Sequence, residues 1–588
     1  EMVKQLMKSI REFKLATILT PTFVIGEVII EALIPFLISL LINDIKAGCN
    51  LSVILGYAWK LVVLSLLSLL CGYLAGIYCA KASTGFARNL RYDIFTNIQK
   101  FSFSNIDKFS SASLVTRLTT DIQNVQMAFM MIIRTAVRAP LNLIFSFTMA
   151  YIMGGTMAVI FLIIIPFLGI GLYLIVRTVM PVFKKGFPLF DKITRIVEEN
   201  VKGIRVVKSF VREDYEIEKF DETSNDIRKM FTRAEQIIAL NNPLMQISIY
   251  AVMLFVLMFG SEMIIKTNGT SLDVGQLSTL MTYGFQIMVS LMMLSMVFVM
   301  ITFSEESCKR IVEVLNEKSS ITSKKNAITE VKDGSIDFDH VRFKYSPTAE
   351  RPVLENIDVH IKSGETIGII GGTGSAKSSF VQLIPRLYDV TEGTVRVGKE
   401  DVRDYDLVTL RDSVAMVLQK NVLFSGTIAD NIRWGNKDAT LEEVKHVCHL
   451  ACADEFIEQM PDGYDTWIEQ GGTNVSGGQK QRLCIARALL KQPKILIMDD
   501  STSAVDTKTD AIIRKAMREY IPETTKIIIA QRTSSVEDAD RIIVLDGGKI
   551  DAIGTSEELL KTNQIYREVY LSQNKQGTEE IVEEGGVR

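Results

Sequence analysis

Apolar residues fill the first half of the chain in long runs; beyond about residue 330 they fall into short runs between charged turns. Spanning a bilayer takes roughly 20 apolar residues in a helix. Six stretches meet that length, near 15–43, 52–80, 126–153, 157–181, 237–265 and 275–303. The connections at 44–51, 154–156 and 266–274 are short, whereas those at 81–125 and 182–236 are long and polar. In the long ones apolar positions recur at helical spacing, as in ITRIVEENVKGIRVVKSF. The spacing predicts membrane helices that continue past the bilayer and reverse at turns near 101–107 and 211–215.

Charge orients these segments. The long connections carry Arg88, Arg91, Lys100, Arg117, Lys184, Lys185, Lys202, Arg205 and Arg212, while the short ones have little beyond Lys46 and Lys266. Excess Lys and Arg marks the cytoplasmic side. Both long connections and both chain ends are therefore expected in the cytoplasm, in a multi-pass protein of the cell membrane. The start, MVKQLMKSIREF, is amphipathic and charged and does not read as a cleavable signal. Overall, 65 basic against 68 acidic residues leave no nucleic-acid footprint. Seven scattered cysteines lack the paired spacing of a disulfide framework.

A chain of 588 residues exceeds one core. The Lys/Ser-rich stretch 321–333 reads as a linker between a helical membrane domain, 1–320, and an α/β domain, 334–573. The last residues, 574–588, are polar and acidic and read as disordered.

In the second half, IGIIGGTGSAKSSF has the strand, Gly-rich loop and helix start that a P-loop demands. Gly371, Gly372, Thr373, Gly374 and Ser375 offer backbone N–H groups to phosphates. Lys377 can reach the β- and γ-phosphates, and Ser378, followed by Ser379, can bring a hydroxyl to Mg²⁺. Ala376 stands where the motif has its second glycine. Either its methyl forces a retreat from the phosphate, or the backbone angle there is negative and tolerates it. A second stretch, 474–506, reads NVSGGQKQRLCIARALLKQPKILIMDDSTSAVD. Ser476, Gly477, Gly478 and Gln479 open a helix whose N-terminus favours an anion. The run 495–498 is a short core strand delivering Asp499 and Asp500 to a metal.

These stretches together resemble the ATP-binding-cassette exporters over about 10–570, and the chain is identified as a member of that family. The resemblance implies six membrane helices in an all-α domain followed by an α/β P-loop nucleotide-binding domain. It implies ATP and Mg²⁺ as cofactors, with Ser378, Gln419 and Asp499 near the metal and Tyr345 stacked on adenine. It implies that Ser476–Gln479 and Asp506 serve an ATP held by a partner's P-loop, and that the long loops end in coupling helices. Two positions depart from the family. Asp500 stands where a glutamate acts as general base, and Gln531 where a histidine contacts the γ-phosphate. A glutamine can donate a hydrogen bond but cannot carry the charge, and aspartate is one methylene short. This resembles the degenerate-site subunits of bacterial heterodimeric multidrug exporters. A lipid or peptide exporter, a homodimer, and a regulatory or channel-like protein of the family are the alternatives.

Charged residues inside a membrane are functional candidates by default. Glu27 and Glu31 lie four apart in the first span, Arg134 and Arg138 four apart in the third. At about 1.5 Å per residue they sit at similar depth, so the pairs are expected to neutralise one another or line one cavity. The sixth span is rich in methionine, and Phe285, Met288 and Met292 are candidates for a small amphipathic substrate. The cysteines and histidines of HVCHLAC are too cramped for a zinc site.

Overall fold

The computed structural model describes residues 2–500 and 503–573 (at 112, 187 and 191 the backbone only); the acidic tail 574–588 lies outside them. The chain divides into two compact units: the chain to Gln99 with Phe109–Glu317, and Lys100–Lys108 with the chain from Lys318 onward.

The first unit is helical. Its long elements are Lys14–Lys46, Leu51–Gln99, Ile122–Ile133, Thr135–Gly154, Val159–Lys202, Glu213–Ile238, Asn241–Thr267 and Val274–Asn316. All six apolar stretches of the sequence fall in helix, but length and apolarity distinguish five candidate spans, because Ser113–Lys202 counts as one run. A short 3-10 turn, Gly155–Ala158, interrupts that run, and Gly155 has φ +51°, a left-handed angle that glycine adopts freely.

Val274–Asn316 lies against several of the other helices. It starts with a capping box, in which the Gln276 N–H donates to Asp273 and the Asp273 N–H donates to the Gln276 side chain. A Cβ on Gly275 would lie 2.2 Å from the Ser39 carbonyl, so only glycine permits this approach to Lys14–Lys46. Phe161, Leu168, Leu280, Tyr283, Ile287 and Met288 pack into its core.

Further along, Arg117–Asp121 is a π-helical turn. The fully buried Asp121 carboxylate accepts from Ser307 at 2.9 Å and Arg310 at 2.7 Å, while Arg117 donates to Glu313 at 2.9 Å.

The second unit is α/β. Its six-stranded sheet runs Lys549–Gly554, Arg541–Asp546, Thr366–Ile370, Thr525–Ile529, Ile495–Asp499, Val414–Val417, parallel except at the Lys549–Gly554 edge. The central strands are buried along their whole length, as parallel strands covered on both faces must be. A four-stranded antiparallel sheet carries Ile336–Phe343 at its centre, flanked by Leu354–Ile361 and Glu392–Val397. Of the linker, Ile328 pairs with Tyr405 and exchanges backbone hydrogen bonds with Asp404 and Asp406.

Candidate functional site

Three neighbouring parallel strands, Thr366–Ile370, Thr525–Ile529 and Ile495–Asp499, end side by side. Their carboxyl ends are where α/β sheets bind ligands. The first leads into the glycine loop and the second to Gln531. The third delivers Asp499 and Asp500.

In the loop, a Cβ on Gly371 would lie 2.3 Å from the Leu545 carbonyl, and Gly374 has φ +83°. Ala376 adopts φ +68°, ψ +26°, a left-handed conformation, immediately before the helix Lys377–Gln382. The reading that a negative angle tolerates the alanine is therefore overturned. The residue keeps the backbone shape of the glycine it replaces, at about 1–2 kcal/mol for an L side chain. It also packs against the strand core. Lys377 Nζ donates to the Gly371 and Gly372 carbonyls at 2.8 and 2.9 Å. Burial holds its ammonium below the ordinary lysine range, and the charges of Asp499 and Asp500 oppose that shift.

Asp499 is 6% exposed and hydrogen-bonded to Ser378. Burial raises its carboxyl above the usual aspartate range, against the pull of Ser378 and Lys377. Asp500 shifts the same way, from burial first and from the neighbouring Asp499 charge second. Two close carboxylates, one buried and one half-buried, beside a hydroxyl form an oxygen donor set that a hard divalent cation would relieve, so the residues fit Mg²⁺. Such an ion would supply neutralisation of phosphate charge. Asp500 is also left-handed, φ +50°, and its N–H donates to the Ile529 carbonyl. Its carboxylate accepts from Gln531 Nε2 at 2.9 Å and from Gln419. The two departures from the family thus touch each other, and both amides hold the shortened acid.

Tyr345, 45% exposed, bonds Ser379 Oγ through its hydroxyl at 2.7 Å. Its ring belongs to an aromatic group with Phe343 and Tyr388. Ser476 caps the helix Gly477–Leu490 in a capping box with Gln479. A Cβ on Gly478 would lie 2.9 Å from the Ala504 carbonyl. Asp506 caps the helix Thr507–Tyr520 through the Thr509 N–H. Among the described residues, no hydrogen bond or ion pair joins Ser476–Gln479 to the P-loop. The sequence reading missed Gln481. It is 4% exposed, donates to Ser503 Oγ and accepts from the Ala504 N–H, tying the signature helix to the loop before Asp506. Its only sequence signal is a polar residue on a helix face otherwise buried.

In the membrane unit, Arg138 donates to Glu27 at 3.2 Å and to both oxygens of Glu31 at 2.8 and 3.0 Å. Arg134 makes no ion pair among the described residues. The expectation of matched pairs meets a break in the helix at Arg134, φ −113° and ψ −67°. Phe285 and Met292 are exposed, whereas Met288 is fully buried in the bundle core. His449 pairs with Asp454, and His446 packs on Tyr520.

A helical unit with bilayer-length apolar runs, joined to an α/β unit with a P-loop and a signature helix, defines an ATP-driven membrane transporter of two-domain build. The chain belongs to the ABC transporter family: residues 17–303 match its transmembrane region and 354–503 its ATP-binding domain. It is a half-transporter of the exporter type. The ABC transporter ATP-binding protein YfiB of Bacillus subtilis is 34% identical over 554 residues, 94% of this chain and 96% of that protein. The ATP-dependent lipid A-core flippase of Photobacterium profundum is 31% identical over 521 residues, 86% and 88% of the two chains. A bacterial Atm1-family ABC exporter with ATP bound shares the fold, with a TM-score of 0.83 at 24% identity over 97% of this chain and 99% of that one.

Proposed function

We propose that this half-transporter is the slow-hydrolysing member of a heterodimeric efflux pump for amphipathic small molecules. The contact between Gln531 Nε2 and Asp500 Oδ2 carries the reading. At the position of the general base stands a shorter acid, held by two amides, and the side chain at 531 cannot gain a positive charge. The binding groups are retained: Lys377, Ser378 and Asp499 with the backbone cradle, and Gln419 beside the metal position. In this reading six helices span the membrane, and both termini and the nucleotide-binding domain are cytoplasmic. ATP closes two cassettes head to tail, Ser476–Gln479 and Asp506 complete the partner's site, and hydrolysis there resets the pump. Glu27, Glu31, Arg134, Arg138, Phe285 and Met292 line the substrate path.

Purified alone, the chain is expected to bind ATP and turn it over very slowly. Co-purification from its native membrane should yield a second half-transporter carrying glutamate and histidine at the two altered positions. Robust turnover without a partner refutes the proposal. A second reading, lipid export, is favoured by the similarity to a lipid A-core flippase; phospholipid translocation in proteoliposomes without dye efflux would select it.

A further inference from the structure

The helix Phe103–Phe109 comes from the first long polar loop, yet residues Lys100–Lys108 belong to the second unit. Part of its hold there is local. Ser102 Oγ lies 2.6 Å from Ser320 Oγ, Asn105 Nδ2 donates to the Lys318 carbonyl at 3.2 Å, and Asn105 Oδ1 accepts from the Ser320 N–H. Those bonds reach only the point where the chain enters the second unit.

A different contact reaches the nucleotide site. The Tyr388 hydroxyl donates to Asp107 at 2.8 Å, and its ring meets Phe103 edge to face at 5.8 Å. The same ring meets Tyr345 edge to face at 5.0 Å and Phe343 at 5.6 Å. Tyr345 in turn is bonded to Ser379 and Gln382, both near or on the P-loop helix. Tyr388 stands on a turn braced by an ion pair. Arg386, 7% exposed and at φ +53°, makes a two-pronged pair with Asp389 at 2.7 and 3.1 Å.

We infer that Tyr388 is a positioning residue that makes the docking of residues 103–108 depend on whether a base covers Tyr345. The inference rests on reading Tyr345 as the base-stacking side chain. A stacked base narrows the positions open to the Tyr345 ring. That ring meets Tyr388, whose hydroxyl end is fixed to Asp107. The coupling is reciprocal by linkage, so docked residues 103–108 favour base binding by the same factor. The P-loop helix meets Tyr345 only at its hydroxyl, through Ser379 and Gln382, and not at the ring face a base would cover.

Hydrogen exchange on the full chain in nanodiscs tests this. With a slowly hydrolysed ATP analogue, exchange of 103–108 should slow by about tenfold. Inorganic tripolyphosphate, which has no base, should leave it unchanged. Tyr388→Phe keeps the ring and should lose the slowing, with fluorescent ATP-analogue affinity falling by no more than the same tenfold. Asp107→Asn retains an accepting oxygen and should keep the slowing; Asp107→Ala should lose it. Equal slowing in Tyr388→Phe, or none in the unaltered protein, overturns the inference. Tyr345→Ala examines the underlying reading separately: if ATP-analogue affinity survives that change, Tyr345 does not stack the base, whatever Tyr388 does.

Discussion

Replacing Asp500 with glutamate is the direct probe of the hydrolytic site. In the structure the Asp500 carboxylate lies against Gln531 Nε2 at 2.9 Å and against Gln419, at the end of a buried strand. Glutamate extends the carboxylate by about 1–1.5 Å, and a misplacement of about 1 Å costs roughly 100-fold in rate. Recovering it is worth about 2.7 kcal/mol, two tenfold steps of about 1.36 kcal/mol each. Asp500→Glu should therefore raise ATP turnover by up to about 100-fold. Adding Gln531→His exchanges a neutral donor for one that can be charged. Hydrogen bonds to charged groups exceed neutral ones by about 1 kcal/mol, so the double variant should gain roughly fivefold more. The assay is phosphate release by the purified chain, alone and with its partner, alongside fluorescent ATP-analogue binding. If both variants bind nucleotide and turnover does not rise, the shortened acid is not what limits hydrolysis.

Ala376→Gly weighs strain against compensation. The left-handed backbone costs alanine about 1–2 kcal/mol, glycine's freer unfolded chain returns about 0.4–1, and the half-buried methyl is worth up to about 0.8. Stability should change by less than about 1 kcal/mol and ATP affinity little, whereas Ala376→Val, branched at a positive φ, should abolish ATP binding in an equilibrium titration. Arg138→Gln strands Glu27, which is 8% exposed. Thermal unfolding in detergent should show a loss of about 3 kcal/mol, the lower end for a broken buried pair, and adding Glu27→Gln should return most of it. Asp499 and Asp500 have folded values raised by burial, so their ionised forms weaken the fold. Their contribution to stability is present below the ordinary aspartate value and is lost as pH rises through the raised one. Mg²⁺ needs the ionised forms, so Mg²⁺-dependent ATP-analogue affinity should fall, as pH is lowered, before an ordinary aspartate would titrate. A profile flat down to about pH 4 refutes that.

Much of the cassette was legible because its chemistry fixes residue types at fixed spacing. A glycine loop between strand and helix, and a buried strand ending in acids, can be read without coordinates. The membrane half was legible only as composition. The four-residue spacing of Arg134 and Arg138 suggested one helical face, but the helix breaks at Arg134, and Arg138 alone takes both glutamates. Met288 fits a substrate-facing pattern equally well, yet lies in the core, because apolar residues point both to lipid and to neighbouring helices in such a bundle. Residues 101–107 read as a turn at the tip of a loop, and the resemblance implied a coupling helix docked on a nucleotide-binding domain. That they belong to the second unit depends on Tyr388, Ser320 and Lys318, more than 200 positions away.

Two of the three altered positions of the ATP site, 376 and 500, show why substitution and geometry must be weighed separately. Ala376 and Asp500 are both non-glycine residues held at positive φ. Aspartate visits that region readily because its short polar side chain bonds locally, whereas alanine does so only under the constraint of its surroundings. Here the constraint is visible: Ala376 lies between the Gly374–Ser375 loop and a helix, and packs against the strand core. The fold therefore imposes the phosphate-binding backbone on whatever residue occupies the position. Binding, which depends on that backbone, is expected to survive the change of side chain. Hydrolysis depends on where a carboxylate ends and on whether its neighbour can carry charge, and no backbone constraint restores either. A cassette altered at both kinds of position should hold nucleotide well and release phosphate slowly.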